Sequence, residues 1–284
     1  MLEHNQKAKI REAIVSGIFY PEDPDELQQR VAELIAVNRP DFAAAKAILS
    51  PHAGLRYSGD LAALAWNAAR DRQPRYVVVL SPVHRPSDAL IFLPESDFFD
   101  GPFGRVPVAT GLVEEMMDCG TIFRMNDIPH FEEHGIEVQL PFMRALFPDA
   151  ALLPVILGAS TAASIKALAT ALDLVIGERD AECLVVVSSD LSGSATGTGN
   201  VAEEAERFLE QVASRDWKAL AAMAESGHPS ACGAGCLAAF MASSLAEGCS
   251  GRLLGRHDSA AFRESPDERV VHYAAIAFGQ EPES

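Results

Sequence analysis

Three short apolar runs in this 284-residue chain end in residues that could do chemistry. AILS runs into Pro51-His52-Ala53-Gly54, VVVLS into Pro82-Val83-His84, and LVVVSS into Asp190. Short apolar runs bounded by turn residues read as buried strands, and in open α/β sheets the carboxyl ends of the strands form the ligand crevice. His52, His84 and Asp190 are therefore expected on one concave surface, although they lie far apart in sequence. Two imidazoles meeting there suit zinc, copper or iron, and a third ligand is then required. Cys232, in Ser230-Ala231-Cys232-Gly233-Ala234-Gly235-Cys236, stands just before a helical run. Free N–H groups and the helix dipole there favour the thiolate, which is a good metal ligand and equally a good nucleophile. Cys236 is assigned to helix packing, because Cys-x-x-x-Cys without a second cysteine pair is a weak zinc signature.

A second polar cluster, Glu132-Glu133-His134-Gly135-Ile136-Glu137, presents His134 at a helix start as acid, base or substrate contact. A carboxylate of the cluster could orient a liganding imidazole from behind. Each residue also has a plain structural reading. A lone histidine after a strand is commonly a turn residue, Asp190 could cap the next segment, and Cys232 could be a small buried residue at a helix start. Glu132 and Glu133 read as solvated, Arg56 and Tyr57 as packing or site lining, and His130, His228, His257 and His272 as structural or surface residues. The shared strand-end setting is what raises His52 and His84 above that reading.

The elements that must hold these residues follow from local pattern. Asp23-Pro24-Asp25-Glu26 opens a helix with an acidic N-cap, proline in the first turn and apolar residues spaced by three and four through LQQRVAELIAV. AKAILS reads as a strand, with Ser58 as cap of the alanine-rich helix that follows. RYVVVLSP and ECLVVVSSD are the most strand-like segments; ALIFLP adds another strand, which can run antiparallel and make the sheet mixed, and FDGPFGRVPVA an irregular strand or hairpin. GIEVQLPFMRALF reads as helical with Pro141 near its start, ALLPVILG as a strand, Ser160 to Val175 as a helix, and VVHYAAIAFG as a closing strand. Strands alternating with helices over the whole length predict one α/β layered domain spanning 1–284, with a mixed, largely parallel central sheet flanked by helices.

Composition narrows the partners. The 23 Lys plus Arg stand against 40 Asp plus Glu, and the formal charge of −17 repels nucleic-acid phosphates and anionic membrane surfaces. No run reaches the roughly 20 apolar residues of a membrane span, and MLEHNQKAKIREAI lacks the apolar run of a signal peptide. Five cysteines form an odd set without a secreted framework, so they are expected as thiols in the cytoplasm.

In order along the chain, REAIVSGIFYPEDPDEL, SPHAGLRYSG, LSPVH, EEHGIEVQLPF, VVSSDLS, ACG and VHYAAIAFG form a specific set. On these motifs the chain resembles the MEMO family, whose bacterial and archaeal members are also called AmmeMemoRadiSam system protein B. The resemblance implies a fold similar to the LigB-like class III extradiol dioxygenases, which use non-haem iron(II). It further implies a pocket holding iron or copper, iron favoured, through His52, His84 and Cys232, with Asp190 and His134 as the matching catalytic positions. The family's bacterial name implies a functional association with AMMECR-type and radical-SAM proteins. Three positions depart from the usual pattern. Gly193 stands where the dioxygenases' acid/base histidine is expected, Arg85 replaces a second histidine, and Ser81 replaces a glycine. Arg85 would put a fixed positive charge at the mouth, suited to a carboxylate or phosphate on a small ligand. Loss of the histidine at Gly193 argues against ordinary extradiol cleavage. The functions left are a metal-dependent redox enzyme with His134 as proton carrier, a non-catalytic metal- or peptide-binding protein, and a Cys-His hydrolase with Cys232 as nucleophile.

Overall fold

The computed structural model describes residues 8–85, 87–191, 201–226, 231–262 and 270–280. Gly193 and His228 lie outside the described residues. In chain order the elements are β1 (Ile10–Glu12), α1 (Pro24–Val37), β2 (Ala47–Ser50), α2 (Leu55–Asn67), β3 (Tyr76–Pro82), β4 (Ile91–Leu93), β5 (Phe98–Asp100), β6 (Val106–Pro107), α3 (Thr110–Met117), β7 (Phe123–Met125), α4 (Asp127–Glu132), α5 (Leu140–Leu146), β8 (Ala151–Leu157), α6 (Ala162–Ile176), β9 (Cys183–Ser188), α7 (Val201–Ala213), α8 (Trp217–Glu225), α9 (Ala234–Ala242), β10 (Ser250–Asp258) and β11 (His272–Gly279).

Eight strands form one mixed sheet in the order β10-β11-β2-β9-β3-β8-β4-β7, and β1, β5 and β6 form a small second sheet. The four middle strands β2, β9, β3 and β8 run parallel. They are buried almost end to end, as parallel strands covered on both faces must be, and this is why they read as unbroken apolar runs. β4 pairs antiparallel with β8, and β11 antiparallel with β2. Helices α1, α2 and α5 pack with one another, as do α6, α8 and α9, and they flank a single continuous apolar core. Among the described residues no helix is long and apolar enough to cross a membrane.

Local expectations hold where capping chemistry is plain. Asp23 accepts from the Asp25 and Glu26 backbone N–H groups, with Pro24 in the first turn of α1, and Pro141 lies in the first turn of α5. Ser58 is not the cap of α2. The helix begins one turn earlier, after Gly54, and the Ser58 hydroxyl turns back to the Ala53 carbonyl. Strand β10 was not apparent in the sequence: its glycines and arginines suit an outer strand whose side chains are partly or fully exposed.

Candidate metal centre

Strand order builds the site. β9 lies between β2 and β3, and the register Ser50↔Ser188 and Leu80↔Val187 brings three carboxyl ends level. The first residues beyond those ends are Pro51-His52, Val83-His84 and Ser189-Asp190. The fourth contributor, the turn Ala231–Gly233 before α9, joins through a bridge between Leu191 and Ala231 and a hydrogen bond from the Cys232 N–H to the Asp190 carbonyl. That turn lies so close to β9 that a Cβ on Gly233 would fall 2.6 Å from the Ser189 Cβ and 2.8 Å from the Ser188 carbonyl oxygen. Glycine is required there for contact rather than for backbone conformation.

His52, His84 and Cys232 come together as expected. His52 Nε2 is 3.2 Å from His84 Nε2 and 3.3 Å from Cys232 Sγ, and the three ligand atoms lie within 4.8 Å of one another. Two donors each about 2.1 Å from one tetrahedral ion are about 3.4 Å apart, so the spacing fits one small transition-metal ion.

The tautomers follow from the groups behind the rings. The Ser188 hydroxyl has one hydrogen, and it is given to the Gly135 carbonyl at 2.6 Å. Its oxygen must therefore accept from His52 Nδ1 at 2.9 Å and from the Gln139 amide at 3.1 Å. His84 Nδ1 donates to Glu133 Oε2 at 2.6 Å, while the His84 backbone N–H donates to Glu133 Oε1 at 2.7 Å. Both Nε2 atoms thus present their lone pairs to the same point. Two such lone pairs at 3.2 Å repel unless a proton or a cation stands between them. Glu133 is buried, at 5 % exposure, and clamps His84; the expectation that it is solvated is corrected, and its role is the orienting carboxylate.

The electrostatics match. Burial pushes the Cys232 thiol up, but the His52 charge and hydrogen bonds from His52 and His84 outweigh it and bring the thiol down to about 6. The Asp190 N–H also donates to Sγ at 3.2 Å. Burial opposes a charge on His84, yet hydrogen bonds to Cys232 and Glu133 raise it to about 10. His52 is raised in the same sense: burial lowers it, and the Cys232 and Asp190 charges prevail.

Asp190 is not among the three clustered ligand residues. Its carboxylate accepts from the His52 N–H at 2.9 Å and the Ala53 N–H at 3.3 Å, fixing the backbone that carries the first ligand. His134 does join the cluster. Its ring stacks on His84 at 4.9 Å and 18°, lies 5.2 Å from His52, and is covered by Phe19 at 4.7 Å. Burial and the nearby His52, His84 and Arg11 charges push it down to about 3, so it is neutral. Cys236 is buried in α9, with its thiol raised by burial and by the Cys232 charge, and it serves packing. Arg85 is 71 % exposed and 3.9 Å from Glu132. Tyr57 packs edge-on to Phe262, and Arg56 lies over Tyr57.

Sequence reasoning missed the supports. Gln139, fully buried, donates to the Pro51 carbonyl at 3.0 Å and to Ser188, and accepts from Trp66 Nε1 at 2.8 Å. Arg11 and Glu137 form a buried ion pair beneath the His134 segment. Their only sequence signal is that REAI and HGIEVQLPF fall within the motifs singled out above.

A family model described as Memo-like protein matches residues 11–277. A MEMO1 family protein of Thermotoga neapolitana is 32 % identical over 196 residues, covering 64 % of this chain and 70 % of its own. A MEMO1 family protein of Sulfolobus acidocaldarius is 25 % identical over 284 residues, covering 95 % and 99 %. Among solved structures, the crystal structure of uncharacterized protein JW3007 from Escherichia coli K12 is similar in fold alone, with TM-score 0.50 and 13 % identity over 82 % of this chain and 99 % of that one. The family match takes in His52, His84, His134, Asp190 and Cys232 together, and the chain belongs to the Memo-like protein family.

Proposed function

We propose that this chain holds one transition-metal ion, iron in preference to copper, on His52 Nε2, His84 Nε2 and Cys232 Sγ, and acts as a non-haem redox protein on a small-molecule or peptide ligand. The observation that carries the reading is the aim of the two imidazoles. Each is fixed from behind at Nδ1, so both Nε2 atoms aim at one place beside the Cys232 thiol, which is brought down to about 6. When bound, such an ion supplies redox and Lewis-acid chemistry with positions left open by only three protein ligands.

The other residues have roles that do not depend on which metal is held. Asp190 fixes the His52 backbone and Glu133 the His84 ring. His134 is neutral, and its ring nitrogens, which hydrogen-bond to no other described residue, are left to a ligand beside His84. Phe19 and His84 both pack against its ring, with centroids 4.7 Å and 4.9 Å away. Arg85 offers a guanidinium at the mouth to a carboxylate or phosphate of the ligand.

The Cys-His hydrolase reading is disfavoured by local geometry. Acyl transfer needs free N–H groups beside the nucleophile for the oxyanion. The Cys232 N–H is bonded to the Asp190 carbonyl and the Gly233 N–H to the Ser189 hydroxyl at 2.9 Å. The test is metal analysis of protein purified without oxygen. Wild type and His134→Ala are expected to carry one ion per chain, and His52→Ala and Cys232→Ala to lose it. Full occupancy in Cys232→Ala would overturn the ligand set. Oxygen uptake with a small-molecule panel, present in wild type and absent in His134→Ala, separates turnover from mere binding.

A further inference from the structure

We infer that the buried Arg11–Glu137 pair is the positioning device of the metal centre, acting through Glu133 on His84 and through Phe19 on His134. The inference rests on the metal reading of His52, His84 and Cys232. Arg11 is 1 % exposed and Glu137 fully buried. Charges are held so deep only when every donor and acceptor is matched, and an apolar pair of similar volume commonly stabilises a core as well. The pair is therefore to be understood by what its hydrogen bonds fix.

Arg11 Nε donates to the His130 carbonyl at 2.8 Å and Nη2 to the Glu133 carbonyl at 3.0 Å, while Nη1 reaches Glu12 O and the Glu137 carboxylate. His130 and Glu133 bracket the exit of α4, a six-residue helix too short to hold its own end. At that exit Glu133 turns to extended backbone, φ −109° and ψ 138°, and its carboxylate then meets both N–H groups of His84. One guanidinium thus spans the two carbonyls that decide where the Glu133 side chain points.

Glu137 does the reciprocal work. Its carboxylate accepts from the Ile14 N–H at 2.9 Å, the Val15 N–H at 3.0 Å and the Tyr20 hydroxyl. These contacts dock segment 11–20 against the site. The same segment lays Phe19 on the His134 ring and gives the Phe19 carbonyl to the Leu55 N–H at 2.7 Å, at the start of α2 just beyond His52. Arg11 and Glu137 touch no ligand atom themselves; they are positioning residues.

Cobalt(II) serves as the probe, with affinity and the visible ligand-field spectrum measured on folded protein well below each thermal midpoint. Arg11→Lys keeps the charge but cannot serve both carbonyls, and Glu137→Gln keeps the shape but not the ion pair. Each is expected to bind about 10- to 100-fold more weakly, with a ligand-field band shifted in the direction produced by Glu133→Gln. Adding Glu133→Gln to either should cost no further affinity, because all act on one imidazole. A pair that merely stabilised the fold would lower the midpoint and leave affinity and spectrum of the folded protein at wild-type values, and that result overturns the inference. Should neither variant fold, Tyr20→Phe removes one hydrogen bond from Glu137; weaker binding with the same band shift supports the inference, and unchanged binding overturns it. A wild-type chain that takes up no cobalt removes the metal reading and this inference together, whereas uptake that is equal in wild type and variants removes the inference alone.

Discussion

Raising the pH from 7 to 8 is expected to tighten divalent-metal binding by at least about tenfold, because the His84 proton must leave the site for each ion taken up. In the metal-free protein burial works against a charge on His84, but hydrogen bonds and charges of Cys232 and Glu133 hold its proton up to about pH 10. Cys232 is a thiolate above about pH 6: burial opposes this, and the His52 charge with two histidine hydrogen bonds prevails. His52 is raised in the same sense as His84 and shares the thiolate as counter-ion, so between these limits the His84 proton sits among the three ligand atoms, where the metal must go. The consequence for the metal-free fold has two signs. The raised His84 stabilises fully below its ordinary value of 6.5 and loses this as pH rises through about 10. The depressed Cys232 stabilises fully above 9.0 and loses this as pH falls through about 6. Calorimetric cobalt titrations in buffers of different ionisation enthalpy measure the released proton directly. Affinity that is flat from pH 7 to 9, or heat independent of buffer, would refute the picture of a proton held between Nε2 and sulfur.

Two further outcomes follow from contacts behind the ligands. Gly135 is packed so that a Cβ would fall 2.3 Å from Ser81 Oγ and 3.1 Å from His52 Nδ1. Gly135→Ala should cost about 1–3 kcal/mol and weaken metal binding, and adding Ser81→Gly should return most of both, measured by denaturant unfolding and metal titration. Asp190→Ala leaves the His52 N–H without its acceptor and should cost about 1–3 kcal/mol, while Asp190→Asn retains the oxygen and should lose well under half of that. Equal losses in the two would show that the negative charge, not the backbone bond, is what Asp190 contributes.

How much of this was legible in the sequence depends on the range of the interaction. His52 and His84 could be read because strand, proline and histidine are local, and the rule for strand ends is general. That β9 lies between β2 and β3 is a property of the sheet, decided by pairings more than 100 residues apart, and no local pattern encodes it. Glu133 shows the same limit. A glutamate after a glutamate reads as solvated, and it is the arrival of His84 from the end of β3 that makes burial of its carboxylate favourable. Arg11, Tyr20 and Glu137 are ordinary residues in the sequence; the structure joins them across more than 100 positions. Cys232 falls between these cases. The small residues around it announced a tight turn, and the distance of 3.3 Å to His52 decided what the turn is for.

The supports also explain why the site can be held in readiness for an ion. Each ligand has its own backing: Ser188 behind His52, Glu133 behind His84, and the Asp190 N–H on Cys232. Ser188 is itself tied to Gly135 and Gln139, and Glu133 to Arg11, so the backings of the two imidazoles converge on the one stretch 133–139. A change anywhere in that stretch therefore reaches both histidines at once. Cys232 takes its backing from the same end of β9 as His52 and bonds to His52 directly at 3.3 Å, so such changes reach it as well.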